Sequence, residues 1–336
     1  MTWATRQPVL DSQDGFTTMA LYLVTGGAGF IGSHVVHELV RRGEVVRVLD
    51  NLSTGRIENL AEVSDRITLY EADICDLGRI SRHFADAYYV IHLAALPSVA
   101  RSIADPLTAN AVNLTGTLNV LLAARDAGVK RLVFASSAAA YGDNPTLPRV
   151  ETLNPSPLSP YALAKLAGEY YCQIFTRIYG LETVSLRYFN IFGPRQNPDS
   201  PYTGVLSKFV AAYQRGDTPV IFGDGQQTRD FTYVDNVVDA TLKACTAPQA
   251  AGKVINVGVG RSYTLNQTIA LLNGIFGQQV KPKYDPPRKG DVLHSLADIS
   301  LARQALGHEP QVSFEEGLKR TVDWFRSEAS AARDIK

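Results

Sequence analysis

An α/β fold, a doubly wound parallel sheet with a smaller mixed α/β lobe attached, is what this sequence predicts, and three observations predict it. Short apolar, β-rich runs alternate with amphipathic helical spans up to about residue 190. The first run ends in a glycine-rich turn that opens a helix. Beyond residue 190 the texture changes, with frequent Pro and Gly and scattered strands. Strands separated by helices pair in parallel through crossover connections and are buried on both faces.

The elements follow in order. The first eighteen residues, MTWATRQPVLDSQDGFTT, are polar and irregular and have no apolar h-region. Residues 1–19 are expected to be a loosely ordered leader, with Met19 an alternative start. LYLVTGG (21–27) is the first strand and its turn. A helix follows with Ile31, Val35, Val36, Leu39 and Val40 on one face and Gly43 at its end. EVVRVLD (44–50) then completes a βαβ unit. Further strands are expected at ITLYEAD (67–73), YVIHLAA (89–95), RLVFASS (131–137) and TVSLRYFN (183–190). A helical span from about 103 to 127 carries Leu107, Val112, Leu114, Leu118, Leu121 and Leu122. SPYALAK (159–165) reads as a helix start, with Ser159 at the N-cap and Pro160 at the first helical position.

Composition excludes several classes. Thirty-three basic residues balance thirty-three acidic ones in the 336-residue chain, with no run of five like charges. A nucleic-acid or acidic-membrane partner has no electrostatic support there. No stretch reaches the roughly 18 uninterrupted apolar residues of a membrane span. Cys75, Cys172 and Cys245 fit neither a metal-ligand nor a disulfide spacing. They read as reduced core residues of a cytoplasmic chain without a metal.

The first turn, TGGAGFIG, places Gly26, Gly29 and Gly32 between a strand and a helix. Glycine triplets also serve plain turns, but at this position they let backbone N–H groups and the helix dipole approach a pyrophosphate. Eighteen residues past Gly32, Asp50 ends the second strand, where a carboxylate holds both ribose hydroxyls and repels a 2′-phosphate. The cofactor is therefore expected to be NAD rather than NADP, with Asp73 at the adenine. Tyr161 and Lys165 share a helix face at i and i+4. An ammonium about 4 Å away contributes ~4 kcal/mol at an effective dielectric near 20. That would lower a tyrosine pKa of about 10 by roughly three units and make a proton acceptor.

TGGAGFIG, HLAA (92–95), SS…YG (136–142), YALAK (161–165) and LRYFNIFG (186–193) together resemble the extended short-chain dehydrogenase/reductases over about residues 20 to 325. The resemblance is closest to the nucleotide-sugar 4-epimerases. It implies a Rossmann-type NAD-binding domain over 20–190, with later returns of the chain near 226–260, and a mainly UDP-sugar-binding lobe over 191–330. It makes Tyr161 the catalytic base, Lys165 its activator, Ser137 the hydroxyl that holds the sugar 4-OH, and Asn113 a support of the lysine. Around the dinucleotide it implies Phe30 and Ile31 beside the glycines, and Asn51, Ser53, Thr54 and Gly55 after Asp50. It adds Ile74, then Leu93, Ala94 and Ala95 of HLAA, and Tyr188.

For the substrate the resemblance implies Ser98, Asn190, Gln196, Gly204, the phosphate-binding Arg229 and Arg288, and Asp291 at the ribose. Relatives that dehydrate or decarboxylate a sugar carry acids where this chain has Ala138, Ala139 and Ala140. Those reactions need an extra proton-transfer group, so three alanines imply simple hydride return, an epimerisation. Ser295 stands where galactose-type epimerases place a bulky tyrosine, which leaves room for a 2-acetamido group and implies UDP-GlcNAc/UDP-GalNAc. Pro97, ahead of Ser98, departs from that pattern near the sugar C6 and keeps a UDP-hexuronic acid open as the close rival, with UDP-glucose/UDP-galactose the further alternative. A nucleotide-sugar keto-reductase and a non-enzymatic dinucleotide sensor are the readings from other classes. The family arrangement implies a homodimer through a four-helix bundle, here with Leu118, Leu122, Leu163, Tyr171 and Phe175.

Overall fold

The structure, a computed structural model, describes residues 19–197, 204–287 and 292–334. The expected leader up to residue 18, and Arg288 and Asp291, lie outside the described residues. Seven parallel strands form the central sheet: β1 (Leu21–Thr25), β2 (Val45–Asp50), β3 (Ile67–Glu71), β4 (Tyr89–His92), β5 (Arg131–Ser137), β6 (Glu182–Tyr188) and β7 (Val254–Val257). Their order across the sheet is β7-β6-β5-β4-β1-β2-β3. The order reverses at β1, so a crevice opens beyond the carboxyl ends of β1 and β4.

Successive residues of each strand serve opposite cores. Val24, Val48, Ile91 and Val133 pack on one face against helices α1 (Phe30–Arg41) and, later in the chain, Val234–Thr246. Leu23, Leu49, Val90 and Leu132 pack on the other against α2 (Gly116–Asp126) and α3 (Pro160–Ile174). Burial on both faces explains why the strands read as unbroken apolar runs rather than alternating ones.

The single helical span expected over 103–127 is divided. Helix Val99–Ala104 stops at Asp105, whose carboxylate caps a new start by accepting from the Thr108 N–H, with Pro106 at the first helical position. A π-helical turn, Ala111–Thr115, then leads into α2. From Pro106 to Asp126 this helix is long and apolar enough to cross a membrane by length and composition. In this fold it covers the sheet with Val120, Leu121, Ala123 and Ala124.

Among the described residues beyond β6, three two-stranded ladders lie outside the central sheet. Ile191–Phe192 pairs with Thr232–Tyr233, Val220–Phe222 with Lys283–Asp285, and Thr228–Arg229 with Tyr263–Thr264. Phe189 and Asn190 lie between β6 and Ile191, with Asn190 at φ +35°.

Candidate active site

The glycine turn follows β1 directly. Gly26 has φ +72°, and a Cβ there would stand 2.6 Å from the Ala94 amide nitrogen. A Cβ on Gly32 would overlap the Gly26 carbonyl oxygen. Gly29 begins α1 without a capping side chain, so the first-turn N–H groups face outward as an anion cradle. At the end of β2 the Asp50 carboxylate accepts from Ala28 N and Leu52 N, each at 2.9 Å. Burial raises its pKa against those two bonds. Gly55 closes over it, with its Cβ position 3.0 Å from Asp50 Oδ1.

Asn51 donates to Asp73 Oδ2 at 2.9 Å, and Asn51 Oδ1 accepts from both the backbone and the hydroxyl of Ser53. Burial alone would raise the Asp73 pKa, but the bonds from Cys75 and Asn51 outweigh it and the net shift is downward. Leu93 N donates to the Thr25 carbonyl at 3.0 Å, which sets Leu93, Ala94 and Ala95 across from the glycines. The structure therefore brings Gly26, Gly29, Phe30, Ile31, Gly32, Asp50, Asn51, Ser53, Thr54, Gly55, Asp73 and the HLAA residues to one edge of the sheet.

Two residues expected at the cofactor are placed otherwise. The Tyr188 hydroxyl is buried against Thr241 Oγ1 at 2.8 Å, and the Ile74 side chain packs into the core beside α2. Tyr188 is buried on a hydrogen bond and Ile74 in apolar packing, which a β-rich motif alone does not distinguish from a ligand contact. Asn113 also differs from expectation. Its amide clasps both backbone groups of Leu96, at 2.8 and 3.2 Å, and so braces the loop that carries Pro97 and Ser98 rather than the lysine.

Ser159 caps α3 by accepting from Ala162 N, and Pro160 occupies the first helical position, as the sequence predicts. Tyr161 N donates to Ser102 Oγ at 3.2 Å. The lysine departs from expectation. Lys165 is buried and donates to the Ala135 carbonyl at 2.7 Å, with its ammonium 4.9 Å from the Phe134 ring and 6.0 Å from the Tyr161 ring. A buried ammonium takes the strongest acceptor in reach, here a strand carbonyl. Burial lowers its pKa to about 8. The Tyr161 pKa is accordingly raised by burial, opposed by the Ser137 hydroxyl, and not depressed by the ammonium. Ser137 ends β5, and its Oγ caps the Ala138–Tyr141 turn through Ala139 N at 3.1 Å.

Of the expected substrate residues, Asn190, Arg229 and Ser295 meet in one loop cluster. Asn190 donates to the Asp230 carbonyl at 3.0 Å and to Ser295 Oγ at 3.4 Å. Arg229 donates to the carbonyls of Thr228 and Leu293. Gln196 accepts from Ser207 Oγ at 2.5 Å and lies 3.8 Å from the Cβ position of Gly204. Ser98 is buried and caps helix Val99–Ala104. Sequence reasoning missed the organiser of this cluster, Asp230, which is wholly buried and accepts from Val259 N, Gly260 N and Ala297 N. Burial pushes its pKa up to about 6. Its position beside Arg229 in QTRDF was the available signal. Among the described residues, no group of three or more His, Cys, Asp and Glu side chains could hold a metal.

Comparison with known proteins points the same way. The model of the NAD dependent epimerase/dehydratase family matches residues 22–258. A UDP-glucose 4-epimerase from Thermotoga maritima, solved with UDP-glucose, is 45% identical, with TM-score 0.88 over 92% of this chain and 99% of that one. A UDP-N-acetylglucosamine 4-epimerase from Methanobrevibacter ruminantium, solved with UDP-N-acetylmuramic acid, is 41% identical, with TM-score 0.89 over 93% of this chain and 100% of that one. A UDP-glucuronate 4-epimerase from Thermodesulfobacterium geofontis is 37% identical over 95% of this chain and 100% of its own length.

Proposed function

The chain belongs to the NAD dependent epimerase/dehydratase family, and from that premise we propose that it is a UDP-N-acetylhexosamine 4-epimerase that interconverts UDP-GlcNAc and UDP-GalNAc. The observation that carries the choice of sugar is Ser295. It is buried beside Asn190, and a side chain this small supports a sugar that carries a 2-acetamido group. NAD fits the cradle, because Gly29 opens α1 with no capping side chain, which leaves the first-turn N–H groups for a pyrophosphate, and Asp50 ends β2 beside it. When bound, NAD+ supplies a hydride acceptor that oxidises the sugar at C4 and then returns the hydride, so the reaction is redox-neutral.

The chain's own residues do the rest. Tyr161 accepts the 4-OH proton and gives it back, while Ser137 holds the hydroxyl. The Ser137 hydroxyl also opposes the rise that burial imposes on the phenol, while Lys165, one helical turn along, is held on the Ala135 carbonyl. Ala138, Ala139 and Ala140 transfer no proton, which supports epimerisation over elimination. Asn190, Arg229 and the Arg288 and Asp291 segment hold UDP.

The enzyme works as a homodimer. Leu163, Tyr170, Ile174 and Ile178 form an exposed stripe along α3 and the turn after it, with Ile103 and Leu107 exposed on the neighbouring helices. Of the residues expected there, Phe175 lies in the core, and Leu118, Leu122 and Tyr171 pack partly against it. Tyr170 and Ile174 of the stripe are one residue before Tyr171 and Phe175, about 100° around the helix from them.

The deciding experiment is NMR of product mixtures from the purified enzyme with a panel of UDP-sugars. Conversion of UDP-GlcNAc to UDP-GalNAc with no net NADH is expected. Turnover of UDP-glucuronic acid alone would replace the substrate, and stoichiometric NADH would replace the reaction class.

A further inference from the structure

Glu169 and Arg187 form a buried ion pair that takes no part in the proton transfer above. Glu169 lies one helical turn past Lys165 and two past Tyr161 on α3. Arg187, on β6, donates through Nε to Glu169 Oε1 at 2.8 Å and through Nη2 to Oε2 at 2.7 Å. The Ser136 hydroxyl donates to the same carboxylate. Its strand neighbours are tied to α3 as well, Ala135 through Lys165 and Ser137 through Tyr161. Three successive residues of β5 thus meet three successive turns of α3.

The network continues outward. The Arg187 guanidinium lies 4.5 Å over the Tyr141 ring, and the Tyr141 hydroxyl donates to Asn256 Oδ1 of β7 at 2.7 Å. Asn256 Nδ2 in turn donates to the carbonyls of Arg149 and Asp298, close to Ser295 in the chain.

We propose that Glu169 and Arg187 are positioning residues. Their pair fixes the rotation and depth of α3 against β5, and so sets Tyr161 and Lys165 relative to Ser137. The inference rests on the reading of Tyr161 and Lys165 as the proton-transfer residues. A buried ion pair adds little net stability over two well-packed apolar side chains, because desolvation offsets its attraction. Its bidentate fork fixes orientation instead, which apolar contacts do loosely.

Single truncations strand a buried charge and endanger the fold, so the informative variants are Glu169→Met/Arg187→Met together and the isosteric Glu169→Gln. The measurements are the urea midpoint, kcat and KM for the UDP-hexose that the wild type epimerises, and NMR of carbon-labelled tyrosine. The Tyr161 resonance is assigned from its loss in Tyr161→Phe. The expected double variant unfolds near the wild-type midpoint with KM little changed. Its kcat falls about a hundredfold, the cost of a misplacement near 1 Å, and its Tyr161 resonance shifts or splits.

Wild-type kcat and an unmoved resonance in the folded double variant would overturn the proposal. If the double variant does not fold, Glu169→Gln decides. A lower kcat at an unchanged midpoint supports positioning, and an unchanged kcat refutes it. Unfolding of both variants also refutes it, since the pair would then serve the fold alone. A wild type that turns over no UDP-hexose sinks the functional reading by itself, and the Tyr161 resonance, which needs no substrate, still decides the positioning.

Discussion

Replacing His92 with glutamine should remove part of the protein's acid sensitivity, by an amount the structure sets. His92 ends β4 beneath the glycine turn and is 1% exposed. Its Nδ1 lies 2.7 Å from Thr25 Oγ1 and its Nε2 lies 3.0 Å from Thr117 Oγ1. The Thr117 hydroxyl donates to the Asn113 carbonyl at 2.7 Å, so it accepts from Nε2–H. Nδ1 is then left to accept from Thr25. A second ring proton would force the Thr25 hydroxyl to turn from donor to acceptor and place a charge in the core. Burial, and after it the charge of Lys165, push the pKa from 6.5 down to about 3.

The sign follows from linkage. The unfolded chain takes up the proton near pH 6.5 and the folded chain only near pH 3. The contribution is complete above the unfolded value and is lost as pH falls through the window between them. At about 1.4 kcal/mol per unit, the loss at pH 5 is about 2 kcal/mol. Glutamine keeps a donor for Thr117 and does not titrate. Its lost bond to Thr25 should cost about 0.5–1.5 kcal/mol at any pH.

Urea unfolding near pH 7.5 and near pH 5 separates the two effects, because a linkage term differs between the two pH values and a lost bond does not. The wild type should lose about 2 kcal/mol more than the variant on acidification. His34, pushed down to about 4 by burial, and His37 and His83, also lowered by burial, contribute alike to both proteins and cancel. Equal pH dependence in the two proteins would refute the buried neutral imidazole.

Three other outcomes are expected. Tyr161→Phe should keep the fold and NAD binding and lower turnover about a hundred- to ten-thousand-fold, the usual contribution of a general base; near-normal rates would remove Tyr161 from the mechanism. Ser295→Tyr should overpack a buried position by about 1–3 kcal/mol, so kcat/KM for UDP-GlcNAc relative to UDP-Glc falls roughly five- to hundred-and-sixty-fold. An unmoved ratio means that Ser295 does not gate the sugar. Light scattering at micromolar concentration should give a dimer, and Leu163→Lys with Ile174→Lys should give a monomer; a monomeric wild type ends the dimer proposal.

The sheet was legible because its residues carry a local signal. Leu23 and Val24, or Leu132 and Val133, are neighbours buried on opposite faces, so each strand shows as a short apolar run. The start of α3 was legible from Ser159 and Pro160, whose capping chemistry depends on adjacent positions alone. The break at Asp105 and Pro106 carried the same signal, masked by the apolar residues that follow it. The ladders beyond β6 are two or three residues long, too short for periodicity to register. The pairing of Glu169 with Arg187 and the role of Asp230 were invisible for another reason. The partners of these residues lie far along the chain, and only the assembled sheet brings them together.

The edge strand β7 has a consequence for synthesis. It completes the sheet by pairing Val254 with Ser185, after the chain has made the intervening segment through Lys253. On a ribosome that adds about 5–20 residues per second, β6 is therefore out for several seconds before its partner exists. During that interval the nascent sheet ends in a strand whose outer N–H and C=O groups are unpaired, the kind of template that recruits another chain. Slowing translation between codons 189 and 253 should therefore lower the soluble yield of this protein, whereas slowing it after codon 260 should not.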